Sequence, residues 1–117
     1  MKVHHGCPVQ ATIKVLSGKW KVQAVWHLSF GPRRFAELRT LLRSVSEKVL
    51  TAQLRELEKD GVVRRTALRT SPPKVTYSLS PAGQTLIPVL EDLCDWGSKQ
   101  FGIKPNLPRN PQPPKTL

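Results

Sequence analysis

Hydrophobic residues in the first third of the chain recur at the spacing of α-helices. A first short helix is predicted from Pro8, a residue well suited to a first helical turn, to the Ser17–Gly18 pair. A second helix, from Lys19 to about Phe30, is apolar on two opposite sides, and such a helix is usually buried on both. We expect one side to face its own domain and the other to be available to a partner. The two sides consist of Trp20, Ala24 and Leu28, and of Val22 and Trp26.

The middle of the chain predicts two more helices joined by a tight turn. The segment from Phe35 to Leu42 carries its apolar residues on one side. Ser46 then provides a favourable N-cap for a fourth helix. In that helix Leu50, Leu54 and Leu57 share one face, and the residues opposite them are small, polar or cationic.

Two strand-like segments follow the Asp60–Gly61 pair, where the fourth helix should end because glycine adopts the left-handed C′ conformation at little cost. Val62 to Leu68 and Lys74 to Leu79 alternate like strands, and the tip between them, RTSPP, is basic and contains two prolines. Ser80–Pro81 opens a last helix, in which Pro88 predicts a kink or a break. The broad apolar stripe of this helix consists of Leu86, Val89, Leu90, Leu93, Trp96 and Phe101.

This order of elements is that of a winged helix-turn-helix, which places one helix in the DNA major groove and a hairpin beside it. The predicted fold class is therefore mainly α with a small β-hairpin wing, in a single domain over residues 1–102. Residues 103–117 are rich in proline, so we expect an extended or disordered tail there. A domain this small cannot cover both the two-sided second helix and the stripe of the last helix, which predicts a dimer formed through helices.

The charge of the chain favours a polyanionic partner. Nineteen Lys and Arg residues face eight Asp and Glu residues, a net charge of +11. Three of these charges (Lys104, Arg109 and Lys115) lie in the tail, which leaves +8 in residues 1–102. Double-stranded DNA is the partner that charge and element order favour together, and a basic RNA-binding or ribosome-associated module is the alternative. The aromatic residues disfavour that alternative, because they occupy core helical positions and form no stacking platform on a strand.

The exposed face of the fourth helix supplies the candidate DNA-reading surface. Lys48 and Arg55 can reach phosphates or guanine edges, while Thr51 and Ala52 are small enough for close approach to the bases. Residues of the preceding turn should lie near the DNA backbone. The alternative interpretation is an ordinary solvated helix face. The candidate DNA contacts in this part of the chain are Arg43, Ser44, Ser46, Lys48, Thr51, Ala52 and Arg55.

The predicted hairpin adds two further candidates, Arg69 and Lys74, on either side of its tip. A narrow minor groove concentrates negative potential, so it attracts cations held on a stiff support, which the prolines of the tip should provide. Arg64 and Arg65 add charge to the same hairpin. The alternative is a hairpin whose charges serve solubility alone.

The chain has two cysteines, too few for a disulfide framework, so a reducing cytoplasm of bacterial type is the expected compartment. Cys7 precedes the first helix, whose positive end favours a thiolate. A redox- or electrophile-sensing thiol is one interpretation of Cys7, and a small structural residue is the other. Cys94 flanks the apolar stripe and is predicted to be packed and unreactive. His4 and His5 could join these cysteines on zinc, but the spacing matches no recognised site, so no metal is predicted.

Catalytic, cofactor-binding and membrane-spanning motifs are absent from the sequence. It contains no nucleophile elbow, phosphate-binding loop, dinucleotide fingerprint or metalloprotease helix, so we expect neither enzyme activity nor a cofactor. No apolar run approaches the ~18 residues that a membrane span requires. The first ten residues also lack the apolar core of a signal peptide.

Three long segments between about Cys7 and about Gly97 resemble the HxlR-type transcriptional regulators. The distinctive motifs are CPV, GKW, RF.EL, S.K.LT.QLRELE.DG, PP.V.YSL and LC.WG. The resemblance implies a dimeric winged helix-turn-helix in which the first and last helices build the interface. It also implies that a cysteine matching Cys7 serves in some members as a thiol sensor, with an oxidant, quinone or aldehyde as effector. Gln10 and Ser17 stand where the family often has Glu and Gly, and the tail after Phe101 has no recognised counterpart.

Overall fold

The computed structural model describes residues 6–105, and its helices and strands follow the predicted order. Residues 1–5 and 106–117 lie outside the described part, and with them His4, His5 and most of the predicted tail. All five predicted helices and both predicted strands are present, so the mainly α fold is confirmed. The elements are α1 (Pro8–Leu16), α2 (Lys21–Leu28), β1 (Arg33–Arg34), α3 (Phe35–Leu42), α4 (Glu47–Lys59), β2 (Val63–Leu68), β3 (Lys74–Leu79) and α5 (Pro81–Phe101).

Two serine caps begin the two longest helices, as the sequence predicts. The Ser46 hydroxyl accepts a hydrogen bond from the Val49 N–H at 3.1 Å, and the Ser80 hydroxyl accepts one from the Gly83 N–H at 3.0 Å. Ser80 is buried, and its hydroxyl donates in turn to the Gly61 carbonyl at 2.5 Å. The start of α5 is therefore joined to the connection between α4 and β2.

The predicted two-stranded wing is confirmed as β2 and β3, and a strand that the sequence did not predict, β1, extends it to a three-stranded sheet in the order β1-β3-β2. Arg33 lies opposite Tyr77 and Arg34 lies opposite Thr76, which makes β3 the central strand. A strand of two residues has no alternation of its own to reveal it. It exists because the chain between α2 and α3 runs antiparallel to the free edge of β3.

The core lies between the helices and one face of this sheet. Leu28, Leu38, Leu50, Leu54 and Leu57 are each at most 2% exposed, and they bring α2, α3 and α4 together. The sheet and α5 add smaller contributions. These contributions come from Val62, Val63, Tyr77, Leu79, Ile87 and Leu90.

The two-sided helix α2 is covered by its own chain, contrary to the prediction that one side is left for a partner. Ala24 and Trp26 lie on opposite sides of α2, yet they are 1% and 3% exposed. The reason is that α2 packs against α3, α4, α5 and β3 at once. Of the two sequence features that predicted a dimer, the apolar stripe on α5 is therefore the one that remains.

The helix α5 runs without interruption from Pro81 to Phe101, so of the two predicted outcomes at Pro88, a kink or a break, the break does not occur. Proline at this position removes one backbone donor, the one that would reach the carbonyl four residues earlier. The many remaining turns of this 21-residue helix keep it continuous. Within residues 6–105, no helix is both long enough and apolar enough to cross a membrane.

Candidate nucleic-acid interface

The helix α4 has two contrasting faces, as predicted. Its three core leucines are almost fully buried. On the other side Lys48, Thr51, Ala52 and Arg55 line one shallow, open groove, and all but the half-buried Thr51 are exposed. Glu47 lines the same groove. The structure therefore brings these four predicted contacts together on one accessible surface.

Ser46 lies at the N-terminal end of this surface. Its hydroxyl oxygen already accepts from the backbone of α4, so the hydroxyl proton is what it can offer to an anion. The unpaired N–H groups and the positive end of the helix dipole lie at the same place, an arrangement that suits a phosphate. Ser46 thus presents its hydroxyl proton, together with the N-terminus of α4, at the end of the groove.

The turn between α3 and α4 holds Arg43 and Ser44 in an uncommon backbone conformation. Their φ angles are +47° and +48°, a region that costs an L-residue roughly 1–2 kcal/mol. Val45, the next residue, is buried and anchors the turn to the core. Both Arg43 and Ser44 are exposed, so the turn presents them at the edge of the α4 surface.

Sequence reasoning missed Arg39 and Thr40, on the polar side of α3. Together with Glu47 they line a second open groove that adjoins the first. The Arg39 Nε donates to the Val45 carbonyl at 3.4 Å, and one of its terminal nitrogens lies 3.9 Å from a Glu47 carboxylate oxygen. The sequence could have indicated Arg39, because α3 is the first helix of the helix-turn-helix and Arg39 is a cation on its polar side close to the turn. The apolar side of α3 alone entered the prediction.

The hairpin carries the two wing candidates close to its tip. Lys74 begins β3 opposite Leu68, and Arg69 directly follows the end of β2. Both are exposed. Two hydrogen bonds hold the tip together, from the Thr70 N–H to the Leu68 carbonyl at 2.9 Å and from the Thr70 hydroxyl to the Pro72 carbonyl at 2.7 Å. The tip is thus an ordered support for cations.

Arg64 and Arg65 point to opposite faces of the sheet, since neighbouring residues of a strand alternate. Arg65 lies opposite Tyr77, in the same row as Arg33, and Arg64 lies opposite Ser78. The four basic residues of the hairpin therefore do not form one cluster.

Cys7 is the N-cap of α1, at the start of the first helix as the sequence predicts, and it is exposed. Its carbonyl accepts from the Ala11 N–H at 3.0 Å, so the residue belongs to the first helical turn. Cys94 is half-buried, and both thiols are free. Among residues 6–105 no group of three or more His, Cys, Asp or Glu residues is arranged to hold a metal.

His27 lies in the last turn of α2. Burial lowers the pKa of His27 below its ordinary value of 6.5, and the positive charge of Arg33 lowers it further. The Nε of Arg33 is itself buried without a hydrogen-bond partner among the described residues. A positive charge on His27 beside that of Arg33 is therefore unfavourable.

Comparison with known proteins gives a consistent result. A family model described as HxlR-like helix-turn-helix matches residues 15–104. YdeP, an HTH-type transcriptional regulator of Bacillus subtilis, is 48% identical over 94 residues, which are 80% of this chain and 73% of YdeP. The redox regulator HypR in its oxidised form has a TM-score of 0.73 and 44% identity, covering 80% of this chain and 96% of HypR. The reduced transcriptional regulator YodB from B. subtilis has a TM-score of 0.74 and 32% identity, covering 83% and 95%. This chain belongs to the HxlR-like helix-turn-helix family of transcriptional regulators.

Proposed function

We propose that this regulator binds double-stranded DNA as a homodimer at a palindrome-like operator and controls transcription by occupying it. The observation that carries the proposal is the division of α4 into a face of buried leucines and a face of exposed small and cationic residues. Such a helix is held firmly by its domain and is still accessible to the major groove. In a symmetric dimer the two α4 helices would lie about one helical turn of DNA apart, ~34 Å.

The contacts divide into base-reading and backbone-positioning groups. Arg55 and Lys48 would reach guanine edges, with Thr51 and Ala52 against the bases. The hydroxyl groups and cations at the turn would bind phosphates. Arg69 and Lys74 would enter or flank the minor groove from the wing. The backbone group consists of Arg39, Arg43, Ser44 and Ser46.

The dimer would form through α1 and α5, each of which has large apolar side chains that stay exposed among residues 6–105. No residue of α1 is buried, and Val9 and Ile13 are 64% and 60% exposed. On α5 Leu93, Trp96 and Phe101 are each at least 57% exposed. The ring centroids of Trp96 and Phe101 lie 5.9 Å apart in an edge-to-face arrangement, so the two rings pack against each other. A soluble domain rarely leaves so many large apolar side chains in water unless a partner covers them.

Cys7 is the proposed signal input. It is exposed at the start of α1, the helix placed in the dimer interface. HypR is named a redox regulator, and YodB has been solved after diamide treatment. Disulfide formation with a partner-chain thiol, or addition of an electrophile, would add strain or bulk at the interface. Favouring one dimer geometry by a few kcal/mol is sufficient to change operator occupancy.

Selection of DNA from a random duplex pool tests the DNA-binding part of the proposal. The expected product is an inverted repeat whose half-sites are about 10 base pairs apart, bound with a steep dependence on salt. Competition with RNA of the same sequence then separates DNA binding from the RNA-binding alternative. RNA that displaces the selected duplex would overturn the proposal. The selected sequence would also allow the regulated genes to be identified.

A further inference from the structure

The connection between α1 and α2 lies directly against the recognition helix α4. The end of α1 packs on the core through Val15 and Leu16, while its beginning is exposed. The chain then passes through Gly18–Lys21, the segment that contains the GKW motif, and enters α2. Two side chains of α4, Gln53 and Glu56, are bonded to this segment.

The first bond joins a backbone group to the Gln53 side chain. The Trp20 N–H, at the N-cap of α2, donates to Gln53 Oε1 at 3.0 Å. Gly18 allows this close approach, because a Cβ atom there would lie 3.1 Å from both Cδ and Oε1 of Gln53. That separation is tighter than nine in ten real Cβ contacts, so with a larger residue at position 18 the Gln53 side chain would have to move by a few tenths of an ångström.

The second bond is an ion pair with one buried partner. The Lys21 Nζ lies 2.5 Å from Glu56 Oε1, and the lysine side chain is 4% exposed while the glutamate is 59% exposed. A buried ammonium must keep its counter-ion, since leaving it unpaired is strongly unfavourable. The ion pair therefore holds α4 to the beginning of α2.

Gln53 and Glu56 are three positions apart, so they lie together on one side of α4. Each directly follows a groove residue in the sequence, Ala52 and Arg55 respectively. The side that holds the α1–α2 connection therefore adjoins the side that reads DNA. Any displacement of the connection would rotate or shift that groove.

We propose that Gln53 and Glu56 are positioning residues that couple α1 to the recognition helix and thereby set the half-site spacing that the dimer accepts. This inference rests on the proposed function, because spacing has meaning only for a dimer in which α1 belongs to the interface. The connection runs from α1 in the proposed interface through Gly18–Lys21, and the bonds of this segment to Gln53 and Glu56 join it to α4. Removal of either bond should leave each α4 helix intact but widen the range of distances between the two α4 helices of the dimer.

Two different substitutions of Gln53 test its hydrogen bond with the Trp20 N–H. Gln53→Met keeps the length of the side chain and removes the acceptor, whereas Gln53→Glu keeps an acceptor oxygen. Binding is measured to the duplex selected from a random pool and to derivatives with one or two base pairs inserted between the half-sites. Wild type and Gln53→Glu should lose affinity about tenfold or more on insertion, and Gln53→Met should lose only about threefold. A duplex with one half-site should bind all three proteins equally.

A second variant keeps the test decisive if Gln53→Met does not fold. Lys21→Met combined with Glu56→Gln removes the ion pair without leaving a buried charge unpaired, and it should show the same tolerance of insertions. Thermal unfolding followed by circular dichroism identifies the folded variants. Folded variants with the wild-type spacing profile would overturn this inference and leave the proposed function standing. A wild-type protein that selects no duplex, or binds it without spacing preference, would overturn both.

Discussion

Gly83 in the first turn of α5 packs directly against the carbonyl oxygen of Val62. A Cβ atom at Gly83 would overlap that oxygen and would also lie 3.3 Å from the Leu79 side chain. Ser80 strengthens the same junction, since its N–H donates to the Val62 carbonyl at 3.0 Å. The end of the recognition helix, the start of the hairpin and the start of α5 therefore meet at a point with no space for another atom.

We expect Gly83→Ala to destabilise the fold by about 1–3 kcal/mol or more, because the added methyl group overlaps a backbone atom that cannot rotate away. Urea denaturation measures the change in the free energy of unfolding. Ala82→Ser is the control, since Ala82 is exposed in the same helical turn and its substitution should stay within about 0.5 kcal/mol. Equal stabilities for Gly83→Ala and wild type would show that the junction can relax.

Arg55 and Lys74 should affect DNA binding in different ways. Arg55→Ala should cost about 1–3 kcal/mol on the selected duplex and relax the preference for one base pair. Lys74→Ala should weaken binding to all sequences alike and reduce the slope of log affinity against log salt by about 1. Titrations of selected and scrambled duplexes at several salt concentrations separate the two effects. If neither substitution changes affinity for the selected duplex, the recognition surface lies elsewhere.

Trp96→Glu should convert the protein to a monomer at micromolar concentration. The proposed interface would have to bury the new carboxylate without a partner, at a cost of about 3 kcal/mol or more. Sedimentation velocity reads the result directly. Gln84→Glu adds the same charge at an exposed position nine residues before Leu93, on the side of α5 opposite that residue of the apolar stripe, and it should remain a dimer. A wild-type protein that sediments as a monomer would contradict the interface itself.

His27 should make the protein less stable in mild acid. Its pKa is lowered in the folded state, so below the ordinary value of 6.5 the unfolded chain binds a proton that the folded chain resists. Stability is therefore fully present above pH 6.5 and is lost as the pH falls through the folded-state pKa of His27. His27→Gln removes the imidazole that takes up this proton. The free energy of unfolding of the variant should therefore fall less steeply than that of the wild type as the pH falls below 6.5. Denaturation at a series of pH values measures both slopes; identical slopes would rule out His27 as the cause.

Cys7 should be required for any response of operator binding to thiol reagents. Diamide or methylglyoxal is expected to change the affinity of the wild-type protein for the selected duplex, and Cys7→Ser should not respond. Cys94→Ser distinguishes an adduct on Cys7 alone from a disulfide that needs both thiols. Equal responses of wild type and Cys7→Ser would remove Cys7 from the mechanism and leave DNA binding unaffected.

Features that depend on residues close together in the chain were predictable without the structure. The Ser46 cap, the end of α4 at Gly61 and the leucine face of α4 were all predictable, because a helix obeys the chemistry of its own turns. The exposed groove that contains Lys48 and Arg55 follows from the same periodicity. The exposed cationic groove on α4 was therefore predictable as a local property.

Features that depend on contacts between distant parts of the chain were not predictable from local patterns. The short strand β1 exists only beside β3, and Trp26 is buried only because four other elements surround α2. The bond from Trp20 to Gln53 spans 33 positions, so no local pattern could reveal it. Periodicity shows which face of a helix is apolar, but the packing of the whole chain decides what covers that face.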